Sequence, residues 1–247
     1  MRGVSRFLGV AAVLAALGAA NAAGAEGLRF DLEAGAVWQA RNDFAVPGDG
    51  GTLVRLADRG PESAFRATLL WDLGPRWTLR VLAAPLRLSQ DTVPAGEVSF
   101  EEATFPAAER IRVDYRFDSY RASLVRRFDD GDGLSYRLGA TLKVRSAEIA
   151  LAGSGARASK TDLGVVPLLY GGVRWQGKNG VAVDAEFDGL AAPQGRAVDA
   201  SVRVEAPLGR GVRGFAGARV LDGGADNDDV FSFATFGYGF AGVRLSF

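Results

Sequence analysis

Apolar and polar residues alternate along most of this chain. Leu28, Phe30, Leu32, Ala34, Ala36 and Trp38 interleave with Arg29, Asp31, Glu33, Gly35, Val37 and Gln39. The same period of two runs through Phe65–Leu73, Leu134–Arg145 and Val198–Glu205. It marks strands with two unlike faces, and no helical period competes with it beyond residue 25. The stretch "VAVDAEFDGL", residues 181–190, sharpens the choice. Asp184, Glu186, Asp188 and Gly189 have the spacing of a calcium loop, but its twelfth position is Gly195, where a bidentate Glu is needed. The strand reading therefore holds: Val183, Ala185 and Phe187 face one medium, and the three acids face the other.

Short and long connections take turns between the strands. The short ones lie at residues 74–76, 129–133, 177–180 and 208–211, and the longer ones near 41–62, 90–109, 152–160, 189–196 and 222–229. Counting between them gives about ten strands, with eight and twelve as alternatives, in the layout of tight turns on one side and long loops on the other. Trp71, Trp77, Phe128, Tyr136 and Trp175 lie on the apolar parity beside the short turns. Amphipathic rings so placed mark a membrane–water boundary. The fold class expected is all-β, an antiparallel up-and-down transmembrane β-barrel at 26–247.

Arg2 and Arg6, the apolar run Phe7–Ala20 and the small residues around Ala22 and Ala25 have the pattern of a secretory signal over 1–25. No later apolar run approaches the ~20 residues of a spanning helix. Together these predict export to the bacterial outer membrane. Outer-membrane lipid and lipopolysaccharide then become expected partners. The last strand ends with Ala241, Val243, Leu245 and Phe247 on one face. This resembles the C-terminal signature through which bacterial barrel-assembly machinery takes its substrates.

Composition narrows the chemistry. The chain has 29 basic and 29 acidic residues. Removing Arg2 and Arg6 leaves 27 basic against 29 acidic, a net charge of −2, so nothing favours nucleic acid. With no histidine and no cysteine, the commonest general base, zinc ligands and thiol nucleophile are all missing, and an enzyme is not expected. Two matches to G-x-G-x-x-G, at Gly209/Gly211/Gly214 and Gly237/Gly239/Gly242, lack the following helix a dinucleotide site needs. No cofactor is expected.

The informative groups are the charges expected inside: Arg66, Asp114, Arg116, Arg121, Arg137, Arg145, Glu148, Asp184, Glu186, Asp188, Arg203 and Glu205. They could pair and fill a narrow barrel, or line a path or binding site for a small polar solute. Asp184, Glu186, Asp188, Arg145, Arg203, Arg66 and Arg116 are the candidate lining residues. Val166, Leu168 and Tyr170, with Leu70, Leu82, Phe236, Tyr238 and Phe240, share the inner parity. They would line an apolar pocket unless a bulge turns them to lipid. Gly237 and Gly239 make poor lipid-facing residues, and the bulge is favoured here because bulges are common near barrel rims. Asp222, Asp226, Asp228 and Asp229 are a candidate cation site, but as a solvated loop they need bind nothing, since hard cations require six or more converging oxygens.

Three stretches, "GVVPLLYGGVRW", "FDGLAAPQGRAVD" and "LDGGADNDDVFSFA", resemble an uncharacterised family of bacterial outer-membrane β-barrel proteins. The resemblance implies a barrel and brings no activity, ligand or catalytic residue. Omptin proteases are ten-stranded barrels too, but their catalysis uses a histidine that this chain lacks. Small-solute binding or permeation through a narrow charged lumen is the leading expectation. A closed structural or adhesive barrel is the alternative, and a lipid-modifying enzyme the third.

Overall fold

A strand in lipid can satisfy its backbone only by pairing on both edges, which forces a sheet to close on itself. The computed structural model, describing residues 27–129 and 131–247, shows this closure. The thirteen strands are β1 (Leu28–Ala45), β2 (Val54–Arg55), β3 (Arg59–Asp72), β4 (Trp77–Thr92), β5 (Val98–Phe100), β6 (Ala103–Phe105), β7 (Ile111–Asp129), β8 (Leu134–Ala152), β9 (Arg157–Gln176), β10 (Ala182–Ala192), β11 (Gly195–Gly209), β12 (Val212–Asp226) and β13 (Phe231–Ser246). Ten of them form one antiparallel meander, each paired with the next, and β13 pairs with β1 to close the barrel. The signal expected over 1–25 lies outside the described residues.

Exterior and interior follow the period of two. Leu138, Leu142, Leu163, Val165, Leu169, Val202 and Val204 are exposed around the wall. Trp71, Trp77, Phe128, Tyr136 and Trp175 form the expected ring beside the short turns, and Trp38, Phe65, Tyr120 and Phe187 stand at the other side of the apolar band. Arg126 reaches the Trp77 and Phe128 rings, its guanidinium 5.7 and 5.1 Å from their centroids, as an interfacial cation does.

The connections opposite the short turns differ from expectation. Only 46–58 and 93–110 are long, while 152–160, 189–196 and 222–229 are mostly strand. The two long segments are not simply solvated. They fold over the mouth: the β5–β6 hairpin brings in Phe100 and Phe105, which join Phe44, Val46, Ile111, Val113 and Phe236 in one apolar core. Phe44 and Phe100 meet edge to face at 5.9 Å. Glu101 N–H donates to Val46 O at 3.0 Å, tying one segment to the other.

Two ladders are incomplete. β3 pairs with β4 only from Ala67 to Asp72. β9 pairs with β10 only from Leu169 to Gln176, so residues 157–168 of β9 are held by β8 alone. The cause is the shortness of β10, which turns back at Ala192 while β9 continues.

Truncating Phe100 to Ala removes the centre of the apolar cap. The hairpin should lose about 3–5 kcal/mol of local stability. Limited trypsin digestion is expected to cut at Arg110 or Arg112 while the barrel keeps its heat-dependent gel mobility.

Candidate functional site: the lumen and its two cavities

Because every second residue of a strand faces lipid, its neighbours are delivered to the lumen, and many here are charged. At mid-height they form a continuous ion-pair network. Asp188 of β10 accepts from Arg80 of β4 and, at 2.9 Å, from Arg121 of β7, with the Thr141 hydroxyl donating at 2.7 Å. Asp199 of β11 is shared by Arg121 at 2.7 Å, Arg66 of β3 at 3.0 Å and Arg219 of β12 at 3.2 Å. Arg219 also pairs with Glu33 of β1. These links cross the barrel between opposite walls.

Toward the short turns the network continues. Asp31 takes Arg244 at 2.6 Å and Arg203 at 3.0 Å. Glu205, fully buried, meets Arg174 at 2.8 Å and Arg203 at 3.0 Å. Asp184 binds Arg137, and Arg174 at 3.2 Å, while Glu186 accepts from Arg137 at 3.1 Å and from the Tyr170 hydroxyl at 2.9 Å. A glycine makes the last contacts possible. Gly172 stands between Arg137 and Glu186 in the register of β8, β9 and β10, and a Cβ there would meet the Arg137 guanidinium at 2.8 Å.

Asp184, Glu186, Asp188, Arg203 and Arg66 are thus brought together inside, and Arg145 also points inward, paired with Asp162. Arg116 is not among them. Together with Asp114 and Glu148 it projects outward, and it pairs with Glu148 at 3.0 Å on the exterior. The cause is the apolar cap: near the mouth Val113, Tyr115 and Phe117 turn inward, so the charges between them turn out. The one irregularity near Phe236 lies on β1, between Gln39 and Arg41, and it does not turn the β13 aromatics out to lipid. β12 and β13 pair without a shift, and Leu168, Tyr170, Phe236 and Phe240 are buried inside. Gly237 and Gly239 do face outward, and a Cβ would meet nothing within 4 Å at Gly237 and only ordinary contact with the Trp38 indole, at 3.6 Å, at Gly239.

The acidic run 222–229 does not converge. Asp222 is taken by Arg196 at 2.5 Å and by the Thr235 hydroxyl at 2.7 Å, on the outside of the wall. Asp226 ends β12, and Asp228 and Asp229 are exposed in the turn. Among the described residues no three acidic side chains are grouped to hold a metal ion.

Asp31, Glu33, Arg80, Lys143, Asp199, Arg219 and Arg244 belong to the interior but not to the sequence-derived set. Each lies on the polar parity of its strand, so carrying the alternation one strand-length further would have found them. The network divides the lumen in two. Below it, a vestibule of about 870 Å³ opens beside the short turns, lined by Arg29, Arg127, Arg174, Arg213 and Arg244 among others. Above it, beside the apolar cap, a cavity of about 650 Å³ is lined by Phe117, Lys143, Arg145, Asp162, Val166 and Leu221 among others.

Replacing Asp188 with Asn should cost about 3–5 kcal/mol, since Arg80 and Arg121 are then left buried without their counter-charge. Arg116→Gln breaks an exposed pair and should move stability by no more than about 1 kcal/mol. Urea midpoints in detergent, followed by tryptophan fluorescence, separate the two.

No protein-family model matches the chain, and no curated protein matches it. Among solved structures, it is similar to the outer membrane protease OmpT from Escherichia coli at 9% identity, covering 90% of this chain and 97% of that one, with a TM-score of 0.55. It also matches the translocator domain of the autotransporter NalP from Neisseria meningitidis at 14% identity, covering 98% of each chain, with a TM-score of 0.47. Ail of Yersinia pestis aligns at 15% identity over 89% of this chain and 99% of that one, with a TM-score of 0.42. At 9% identity the likeness to OmpT concerns the fold, and with the closed ten-strand ladder it makes this chain a β-barrel of the bacterial outer-membrane type.

Proposed function

We propose that this chain is a closed outer-membrane barrel that binds a small ligand in the outer half of its lumen and does not conduct. One observation carries the reading: Asp188 and Asp199 reach across the lumen to Arg66, Arg80 and Arg121 on the opposite wall, with all five side chains nearly buried. A conducting path would have to break several of these pairs at once, each at the cost of an uncompensated buried charge. Asp184 and Glu186 are on this view structural partners of Arg137 and Arg174, and no solute passes them. The outer cavity, by contrast, has the size of small-molecule sites and mixes apolar with charged lining.

Export through the N-terminal segment, insertion through the Phe247 signature and contact with lipopolysaccharide belong to the same proposal. No catalytic role is proposed. The chain offers no histidine or cysteine, and the lumen carboxylates serve as acceptors for arginine. The test is single-channel recording of the refolded chain in a planar bilayer. A folded barrel should be silent up to the voltages at which the membrane breaks. Reproducible openings whose ion preference changes in Asp184→Asn with Glu186→Gln would refute closure.

A further inference from the structure

Lys143 is a lumen cation that stands outside the ion-pair network. It lies on β8 at the base of the outer cavity and is only 3% exposed. Its ammonium sits 4.9 Å from the centroid of the Phe117 ring, and among the described residues it makes no hydrogen bond or ion pair. The charges around it are mostly of its own sign. Arg121 stands opposite it in the β7–β8 register, and Arg145 lies two residues along on the same face. The carboxylate of Asp199 that attracts it is already shared by Arg66, Arg121 and Arg219. A buried ammonium without a partner is costly unless it gives up its proton or takes a counter-anion, and the cavity beside Lys143 has room for the anion.

The cavity above Lys143 is not sealed by the wall. Where β10 turns back, residues 157–168 of β9 have no strand on their second edge. Val165 faces outward and is 62% exposed, yet it lines the same cavity as the inward-facing Lys143 and Val166. Leu190 keeps the inward parity of β10 and pairs with Ala197 of β11, but it is 38% exposed because no strand flanks it on the β9 side. The cavity therefore runs through the wall between β9 and β10. On the outer face Val165 lines the opening, and the exposed Leu163, Leu169 and Phe187 lie near it along β9 and β10. Toward the mouth the cavity is lined by Lys160, Thr161, Arg196 and Asp222. An acyl chain arriving from the membrane meets the apolar side of this opening.

We propose that this opening admits a single-chain anionic amphiphile from the outer leaflet, its carboxylate or phosphate head pairing with Lys143 and its chain lying along Phe117, Val166 and Leu190 toward the lipid. The inference rests on the closed, ligand-binding reading above and gives that ligand its chemical class.

The experiment uses the refolded full chain in dodecyl maltoside and measures equilibrium dialysis of radiolabelled oleate, with monododecyl phosphate in a parallel series. About one molecule of either should bind per barrel. Lys143→Met removes the charge at nearly constant shape, and Val166→Phe fills the cavity while keeping Lys143. Each should weaken binding about tenfold or more with the gel mobility of the folded barrel unchanged. Oleyl alcohol, with the same chain and no charge, should bind weaker than oleate by a similar factor, and acetate should not displace oleate. Equal binding by Lys143→Met, equal binding of the alcohol, displacement by acetate, or no binding of either amphiphile would each overturn the inference. A barrel that is silent in the bilayer yet binds neither amphiphile would remove this ligand class and leave closure standing. A conducting barrel would remove closure itself.

Discussion

The interior of this barrel is decided by what its exterior must avoid. Lipid accepts only apolar side chains and no unpaired backbone, so each lipid-facing residue commits its two neighbours to the lumen. Ten strands enclose a space too narrow to hydrate a dozen charges separately. Arginine resolves this better than lysine could, since one guanidinium spreads its donors over two or three carboxylates. Arg121 bridges Asp188 and Asp199 in this way, and Arg203 bridges Asp31 and Glu205. The preference is visible at mid-lumen, where Lys143 stands among arginines without a carboxylate of its own, while Lys160, nearer the mouth, pairs with Glu101.

Near the mouth the same wall obeys a different rule. Once the strands rise beyond the lipid, water lies outside, and the inside is filled by loops instead of the opposite wall. The alternation of β7 then inverts in meaning, with Tyr115 and Phe117 inward, stacked at 6.4 Å, and Arg116 outward. No bulge is needed for the inversion. The residue pattern changes while the backbone continues, and the cap gains an apolar core that the mid-lumen lacks.

These two regimes explain what could be seen in the sequence. The strand period, the ring of tryptophans and the closing strand were legible because each is a local pattern imposed by lipid. Asp184, Glu186 and Asp188 were legible for the same reason, lying between Val183, Ala185 and Phe187. Arg116 was misplaced because a charge between aromatics reads as lumen-facing only if lipid is assumed outside, and at that height it is not. Gly237 and Gly239 suggested a bulge because a single strand shows only that they would face lipid, and not that Phe236 and Phe240 are needed inside. The partnering of Asp199 by three different walls, and the missing partner of Lys143, depend on distances across the lumen that no single stretch of sequence encodes.

The apolar outer face is also uneven in height. On β7 it runs from Phe128 to Tyr120 before Asp118 interrupts it, whereas on β9 it runs from Trp175 to Leu163 without a charge. A spanning strand needs about 9–11 residues. The β7 side therefore fits a bilayer directly, and the β9 side overshoots it. Such a mismatch is relieved by tilting the barrel or thickening the adjacent lipid. Either response lowers the β9 side deeper into the outer leaflet, so the protein's own seating in the membrane would carry the interrupted ladder below the level of the headgroups.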